Sequence, residues 1–233
     1  ADLQVTEWLL SQFSTIDEVK AALSSVRVVG LEKIAVVHWR IGEPSGRQVV
    51  LEIVGGVPHF YENEVGVLTN APGFEWQLTN LNNYVNLHPG DASVQKLSGI
   101  TLQPTGGNSG FLGIPGDATP PSRFVRAAFY RGTAPQRATG FDTVQQCFHL
   151  LNNFDIPIGI EYSQAGDIPD IPSATQWTSA IDLTNRKVYY KTAYNNSIRC
   201  IDLKAIDFSK VKYQSQPLDK IQEQPVEMVK IPR

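Results

Sequence analysis

Residues Val65–Tyr84 read VGVLTNAPGFEWQLTNLNNY. Val65, Val67 and Thr69 alternate with Gly66 and Leu68, the pattern of a short buried strand. Pro72 disfavours helix at Ala71 and Gly73 permits a positive φ, so a turn is expected over Asn70-Ala71-Pro72-Gly73. Phe74, Leu78, Leu81 and Val85 then recur at helical spacing and predict a helix with one apolar face. Asn70 is thereby expected at the C-terminal tip of a strand, immediately before a tight turn. Its carboxamide carries donors on a rigid element, which suits an oxyanion donor. The competing reading is a turn cap, because Asn before a Pro turn is a common starter.

Upstream, Val5, Leu9 and Phe13, flanked by Trp8 and Leu10, predict an amphipathic helix. Ser14 and Thr15 break it. Thr15-Ile16-Asp17-Glu18 has capping-box spacing for a second helix to about Ser24. A β-meander is expected next: Ile34–Ile41, a turn at Glu43-Pro44-Ser45-Gly46, Gln48–Val54, a turn at Gly55-Gly56, and Val57–Tyr61 leading to Asn70. Short connections make it antiparallel, and apolar residues on both strand faces predict a sheet covered on both sides.

Downstream, a Gly/Pro-rich passage from about Leu87 to Pro121 reads as a long loop. Its Gly106-Gly107 and Gly110 lack the Lys-Ser/Thr and the context of a phosphate loop. SRFVRAAFYRG follows as a helix burying Phe124, Val125, Ala128 and Phe129, with Arg123 and Arg126 together on the opposite side. Arginines so placed usually form a solvated face. Phe141–Asn153 is a further helix, with Val144, Cys147, Phe148 and Leu151 on one face and His149 outside. Pro157, Pro169 and Pro172 mark a loop. Three strands are then expected at Thr175–Asp182, Lys187–Thr192 and Ile198–Asp202.

With 233 residues, 42% hydrophobic and 18% charged, the chain has the composition of a globular domain. A net charge of −3 without long runs of one sign argues against nucleic acid as a partner. No apolar run reaches the length of a membrane span. The 2 cysteines do not make a disulfide scaffold, and the 4 histidines form no close pair of the zinc-binding kind. The chain opens on Ala1, without a Met or a signal peptide, directly into the first helix.

TNAPGFEWQLTNLNNY resembles the TN-x-P-x-F-x-x-Q-L segment of the choloylglycine hydrolase and penicillin V acylase family. SRFVRAAFY is similar to that family's S/D-R-F-V-R motif, and SATQWTSAIDLTNRKVYYKTA to its C-terminal hairpin. The opening pair of helices resembles the family as well. The resemblance implies an α+β fold, an αββα four-layer sandwich of antiparallel sheets (the N-terminal-nucleophile hydrolase fold), incomplete at its N-terminus in this chain. Residues 1–233 are then one domain, with 209–233 a surface tail. It also implies that Asn70 polarises a substrate amide carbonyl, that Arg123 lies beside the nucleophile, and that Arg126 is structural.

The implied reaction is hydrolysis of linear, non-peptide C–N amides, without cofactor or metal. Penicillin V, conjugated bile salts and acyl-homoserine lactones are the family's substrate classes. ATQWTSAIDL and PSRFVRAAFY are closer to the Gram-negative penicillin V acylase branch, which leans the setting towards the periplasm over the cytoplasm. Trp39, Phe74, Trp76 and Phe111 are candidates to face an apolar acyl group.

Family members begin with a catalytic cysteine whose own α-amine is the base. The methyl side chain of Ala1 has no lone pair, and Cys147 and Cys200 read as buried structural thiols. The expected partners are therefore a small-molecule amide and an N-terminal segment carrying the Cys nucleophile; a homo-oligomer stays open. By this reading the chain supplies oxyanion and pocket residues and is inactive alone. The alternative is a non-catalytic binding or scaffold descendant of the family.

Overall fold

A capping box starts the second helix as its sequence predicts: Thr15 Oγ1 accepts from Glu18 N, and the Glu18 carboxylate accepts from Thr15 N. The structure is a computed structural model that describes residues 4–29, 37–157, 159–160 and 174–232. It falls into two compact units, Ala1–Ala134 and Pro135–Arg233.

In the first unit, helices α1 (Val5–Gln12) and α2 (Ile16–Leu23) precede an antiparallel sheet of order β1-β2-β3, with β1 His38–Gly42, β2 Gln48–Val54 and β3 Val57–Glu62. Trp39 and Phe60 flank Leu51, while Arg40 and Tyr61 flank Val50. That register separates two cores. Leu51 packs with Val5, Leu9, Val19 and Leu23 of the two helices. Val50, on the other face, packs with Val67, Phe74, Phe124 and Ala128. Val49, Val50 and Leu51 are fully buried, and each such side chain contributes about 1.5–3 kcal/mol. The expected meander with both faces covered is thus present. Of the expected first strand, residues 34–36 lie outside the described residues.

Val65–Thr69 is not a strand: it has no ladder partner among the described residues. The buried Asn63 takes over its backbone, donating from Nδ2 to Val67 O at 3.2 Å and accepting from Gly66 N at 2.8 Å. Gly66 has φ +66°, and a Cβ there would overlap the Arg131 guanidinium. Arg131 in turn donates to Val65 O at 3.1 Å.

Helix α3 covers only Phe74–Asn80, and a 3-10 turn follows over Leu81–Tyr84. Its buried residues are Phe74 and Gln77, whereas Leu78 is 37% and Val85 80% exposed, so the expected apolar face is rotated. Asn and Thr side chains bond nearby carbonyls at its end: Thr79 Oγ1 to Glu75 O, and Asn82 Nδ2 to Thr79 O. The expected long loop holds a small hairpin of β4 (Gln95–Leu97) and β5 (Ile100–Leu102), turned at Ser98-Gly99, both with positive φ. Helix α4 runs Pro120–Thr133.

In the second unit, α5 (Gly140–Leu151) lies against an antiparallel sheet of β6 (Trp177–Asp182), β7 (Lys187–Thr192) and β8 (Arg199–Asp202), in that order. Val144 and Phe148 of α5 pack on Tyr189 of β7. His149 is exposed, as expected. Cys147 is half-buried, and Cys200, on edge strand β8, is exposed rather than buried. The loop prolines Pro169 and Pro172 lie outside the described residues. The segment after Phe208 touches the sheet: the Tyr190 hydroxyl donates to Leu218 O, and Arg199 pairs with Asp219 at 2.8 Å.

Candidate active site

Asn70 and Arg123, 53 residues apart in sequence, are in direct contact. Arg123 Nη2 donates to Asn70 Oδ1 at 2.6 Å. Arg123 Nε donates to Ala118 O at 2.9 Å, which fixes the plane of the guanidinium. A guanidinium has donors only, so the Asn70 oxygen must face it. The Asn70 NH2 group is then turned away from Arg123. Asn70 is exposed and Arg123 half-buried, so an outward pair of amide N–H donors stands with a cation behind it. Such a pair can stabilise an oxygen that gains negative charge.

Both residues are held by their elements. Arg123 sits in the first turn of α4, where a cation is mildly unfavourable. An anion offsets it. The Asp117 carboxylate accepts from Ser122 Oγ at 2.6 Å and from Thr119 N at 2.9 Å. The Ser122 and Thr119 hydrogen bonds hold the Asp117 carboxyl well below the usual carboxylate range. Arg126 lies under this loop. It is buried, not solvated, and Nη1 donates to Pro115 O at 2.7 Å and to Asp117 O at 2.8 Å. Its burial is a correction to the solvated-face expectation, and its contacts are structural.

The Asn70 turn is pinned on several sides. Thr69 Oγ1 donates to Pro120 O at 3.1 Å, and Gln77 Nε2 to Pro72 O at 3.4 Å. Phe74 N donates to the buried Glu52 carboxylate at 2.7 Å. Beneath the turn, burial together with the Glu52 and Glu75 charges raises the Tyr61 phenol above its ordinary value.

The aromatic residues proposed for an acyl pocket are not brought together. Phe74 is 1% exposed, packed against Tyr61 and Phe124. Trp39 lies with α1 and α2 on the opposite sheet face. Phe111 packs on Phe129 and Tyr130, and Trp76 is 48% exposed. A cavity of about 590 Å³ lies elsewhere, lined by Val85, His88, Gln95, Leu102 and Leu112 among others. No group of acidic, His or Cys side chains among the described residues is arranged to hold a metal. No helix among them is long and apolar enough to cross a membrane.

Sequence reasoning missed Glu52, Asn63, Thr69 and Asp117. Glu52 had a signal, since it is the single charge in the apolar run VVLEIV. Asp117 had one too, in an Asp-Ala-Thr run just before a Pro-Pro-Ser helix start.

The linear amide C–N hydrolases of the choloylglycine hydrolase family match residues 1–217. A bile salt hydrolase/transferase of Clostridium perfringens is 34% identical over 84% of this chain and 60% of that protein. A penicillin V acylase of Pectobacterium atrosepticum is 28% identical over 89% of this chain and 54% of its own length. Among solved structures, a conjugated bile acid hydrolase of Clostridium perfringens superposes with a TM-score of 0.78 at 30% identity, covering 97% of this chain and 69% of the other. The penicillin V acylase of Agrobacterium tumefaciens has a TM-score of 0.67 at 22% identity, covering 89% and 57%. The chain thus spans 60% and 54% of the lengths of the two sequence relatives.

Proposed function

This chain belongs to the choloylglycine hydrolase family of linear amide C–N hydrolases, with the α+β fold of the N-terminal-nucleophile hydrolases, and on that premise we propose that it supplies the oxyanion side of a site that cleaves linear, non-peptide amides. The observation that carries the proposal is the 2.6 Å bond from Arg123 to Asn70 Oδ1. It turns the Asn70 N–H bonds outward, where they meet the carbonyl oxygen of the amide. A thiolate attacks the carbonyl carbon, the oxygen takes on negative charge, and Asn70 stabilises it. The C–N bond then breaks, the amine leaves with a proton, and water hydrolyses the thioester. The Arg123 cation lies behind Asn70, where it favours the same negative charge.

Neither Cys147 nor Cys200 suits the nucleophile. One is half-buried on α5 and the other stands on the edge strand β8. The attacking thiol is therefore assigned to a part of the protein outside these 233 residues, and the 233 residues alone are expected to be inactive. Conjugated bile salts and penicillin V are both proposed substrates. Identity to the named bile salt relative, 34%, exceeds that to the named penicillin V acylase, 28%. The motif likeness to the Gram-negative branch does not by itself set the choice.

In the full-length enzyme, Asn70→Ala is expected to lower kcat by about 10²–10³-fold on a conjugated bile salt or on penicillin V, with unchanged circular dichroism. Wild-type turnover in that variant would remove Asn70 from the reaction. Binding of either amide by the full-length protein without any turnover would favour the non-catalytic descendant instead.

A further inference from the structure

We propose that Glu52 is a positioning residue for the reaction, acting through the turn that carries Asn70; the inference rests on the reading of Asn70 given above. Glu52 is 7% exposed in the middle of β2, on the sheet face that holds the Phe74–Phe124 core. A carboxylate in such a place is costly unless its lone pairs are taken by hydrogen-bond donors. Glu52 has two such partners. Oε1 accepts from Phe74 N at 2.7 Å. It also meets His38 Nδ1, across the β1–β2 ladder, at 3.3 Å.

The second oxygen lies against the turn itself. A Cβ on Gly73 would fall 3.0 Å from Glu52 Oε2. Gly73 has φ −58° and ψ 163°, a conformation open to any residue. The close approach of the carboxylate, and not the backbone shape, is what makes glycine fit here. Glu52 therefore grips residues 73–74 from inside the core, three residues after Asn70. On the other side Arg123 holds the Asn70 oxygen and Pro120 O receives Thr69 Oγ1. The amide that faces the substrate is thus fixed between a surface cation and a buried anion. Charge-assisted bonds to a backbone N–H are short and directional, so they set position as well as stability. A shift of about 1 Å in a catalytic group can cost about 10²-fold in rate.

The test is a set of variants of the full-length enzyme assayed on one amide substrate, with kcat taken per folded molecule. Glu52→Gln keeps an oxygen acceptor for Phe74 N and is expected to stay within about 3-fold of wild-type kcat. Glu52→Leu removes the acceptor and is expected to lose up to about 10²-fold in kcat, with KM within about 3-fold. Gly73→Ala crowds the carboxylate on a permissive backbone, and a loss of about 3- to 10-fold in kcat is expected; it serves as the second probe if Glu52→Leu does not fold. In the Asn70→Ala background both losses should largely vanish, because there is no amide left to misplace.

Losses that persist undiminished in that background, or wild-type kcat in folded Glu52→Leu and Gly73→Ala, would overturn the inference while leaving Asn70 in place. Wild-type kcat in Asn70→Ala alone would instead overturn the reading on which it rests, and the inference with it.

Discussion

Two arginines three residues apart on α4 do different work, and their atoms show why. Arg123 uses two different nitrogens for two partners, Nε for Ala118 O and Nη2 for Asn70 Oδ1. Only a rigid fork reaches both. Arg126 donates to Pro115 O and to Asp117 O from one nitrogen, Nη1. A lysine ammonium can imitate that arrangement but not the fork. Arg123→Lys is therefore expected to cut kcat/KM by about 10²-fold in the full-length enzyme, and Arg126→Lys to leave it close to wild type. Arg126→Leu strands two carbonyls and is expected to lower stability by about 1–3 kcal/mol in urea titration. Its kcat per folded molecule should be unchanged. If Arg126→Lys were the crippled enzyme and Arg123→Lys the normal one, the assignment of the two would be reversed.

At the scale of elements, α4 shows how a helix start is made to carry a cation. The Asp117 carboxylate bonds Ser122 and Thr119 at its N-terminal end, and these bonds depress the Asp117 pKa. A depressed carboxylate contributes stability that is present above its unfolded value, about 3.9, and is lost as pH falls through the folded one. Thermal midpoints measured below pH about 4 should therefore fall more steeply for wild type than for Asp117→Asn, with Asp117→Asn the less stable protein at neutral pH. Parallel curves would mean that the cap is not titrating with the fold.

Other elements were legible to different degrees. The meander and β7 were readable because their apolar residues fit the strand period and Gly or Asn turns bound them. Val65–Thr69 had the same period but no ladder. A buried Asn63 side chain can satisfy backbone groups as a neighbouring strand does, and residue spacing carries no trace of that. Helix α3 ends at Asn80 and buries Phe74 and Gln77, a face that the spacing of Leu78 and Val85 did not indicate. For the candidate site, motif resemblance nominated Asn70 and Arg123, and the structure places the two in contact. Glu52 touches the site only through contacts distant in sequence, whereas those of Asp117 are local, to Thr119 and Ser122.

At the scale of the whole molecule, the candidate site residues Asn70 and Arg123 belong to the unit Ala1–Ala134, and both cysteines belong to the unit Pro135–Arg233. A reactive thiol needs a base or cation that favours thiolate. Cys200 lies on edge strand β8, opposite Tyr189 in the ladder. Burial chiefly, and then Cys200, raise the Tyr189 phenol above its ordinary value, so the phenol stays protonated near neutral pH. Cys147 is half-buried on α5, next in sequence to Phe148. We therefore expect neither thiol to be the nucleophile. In the full-length enzyme, Cys147→Ala with Cys200→Ser is expected to retain kcat/KM within about 3-fold, because no interaction specific to the transition state is removed. Inactivation by iodoacetamide should proceed at the same rate in that double variant as in wild type, since the alkylated thiol is neither of these two. Loss of turnover in either single variant, with its circular dichroism intact, would place the chemistry on a thiol of this chain and overturn the assignment of the nucleophile elsewhere.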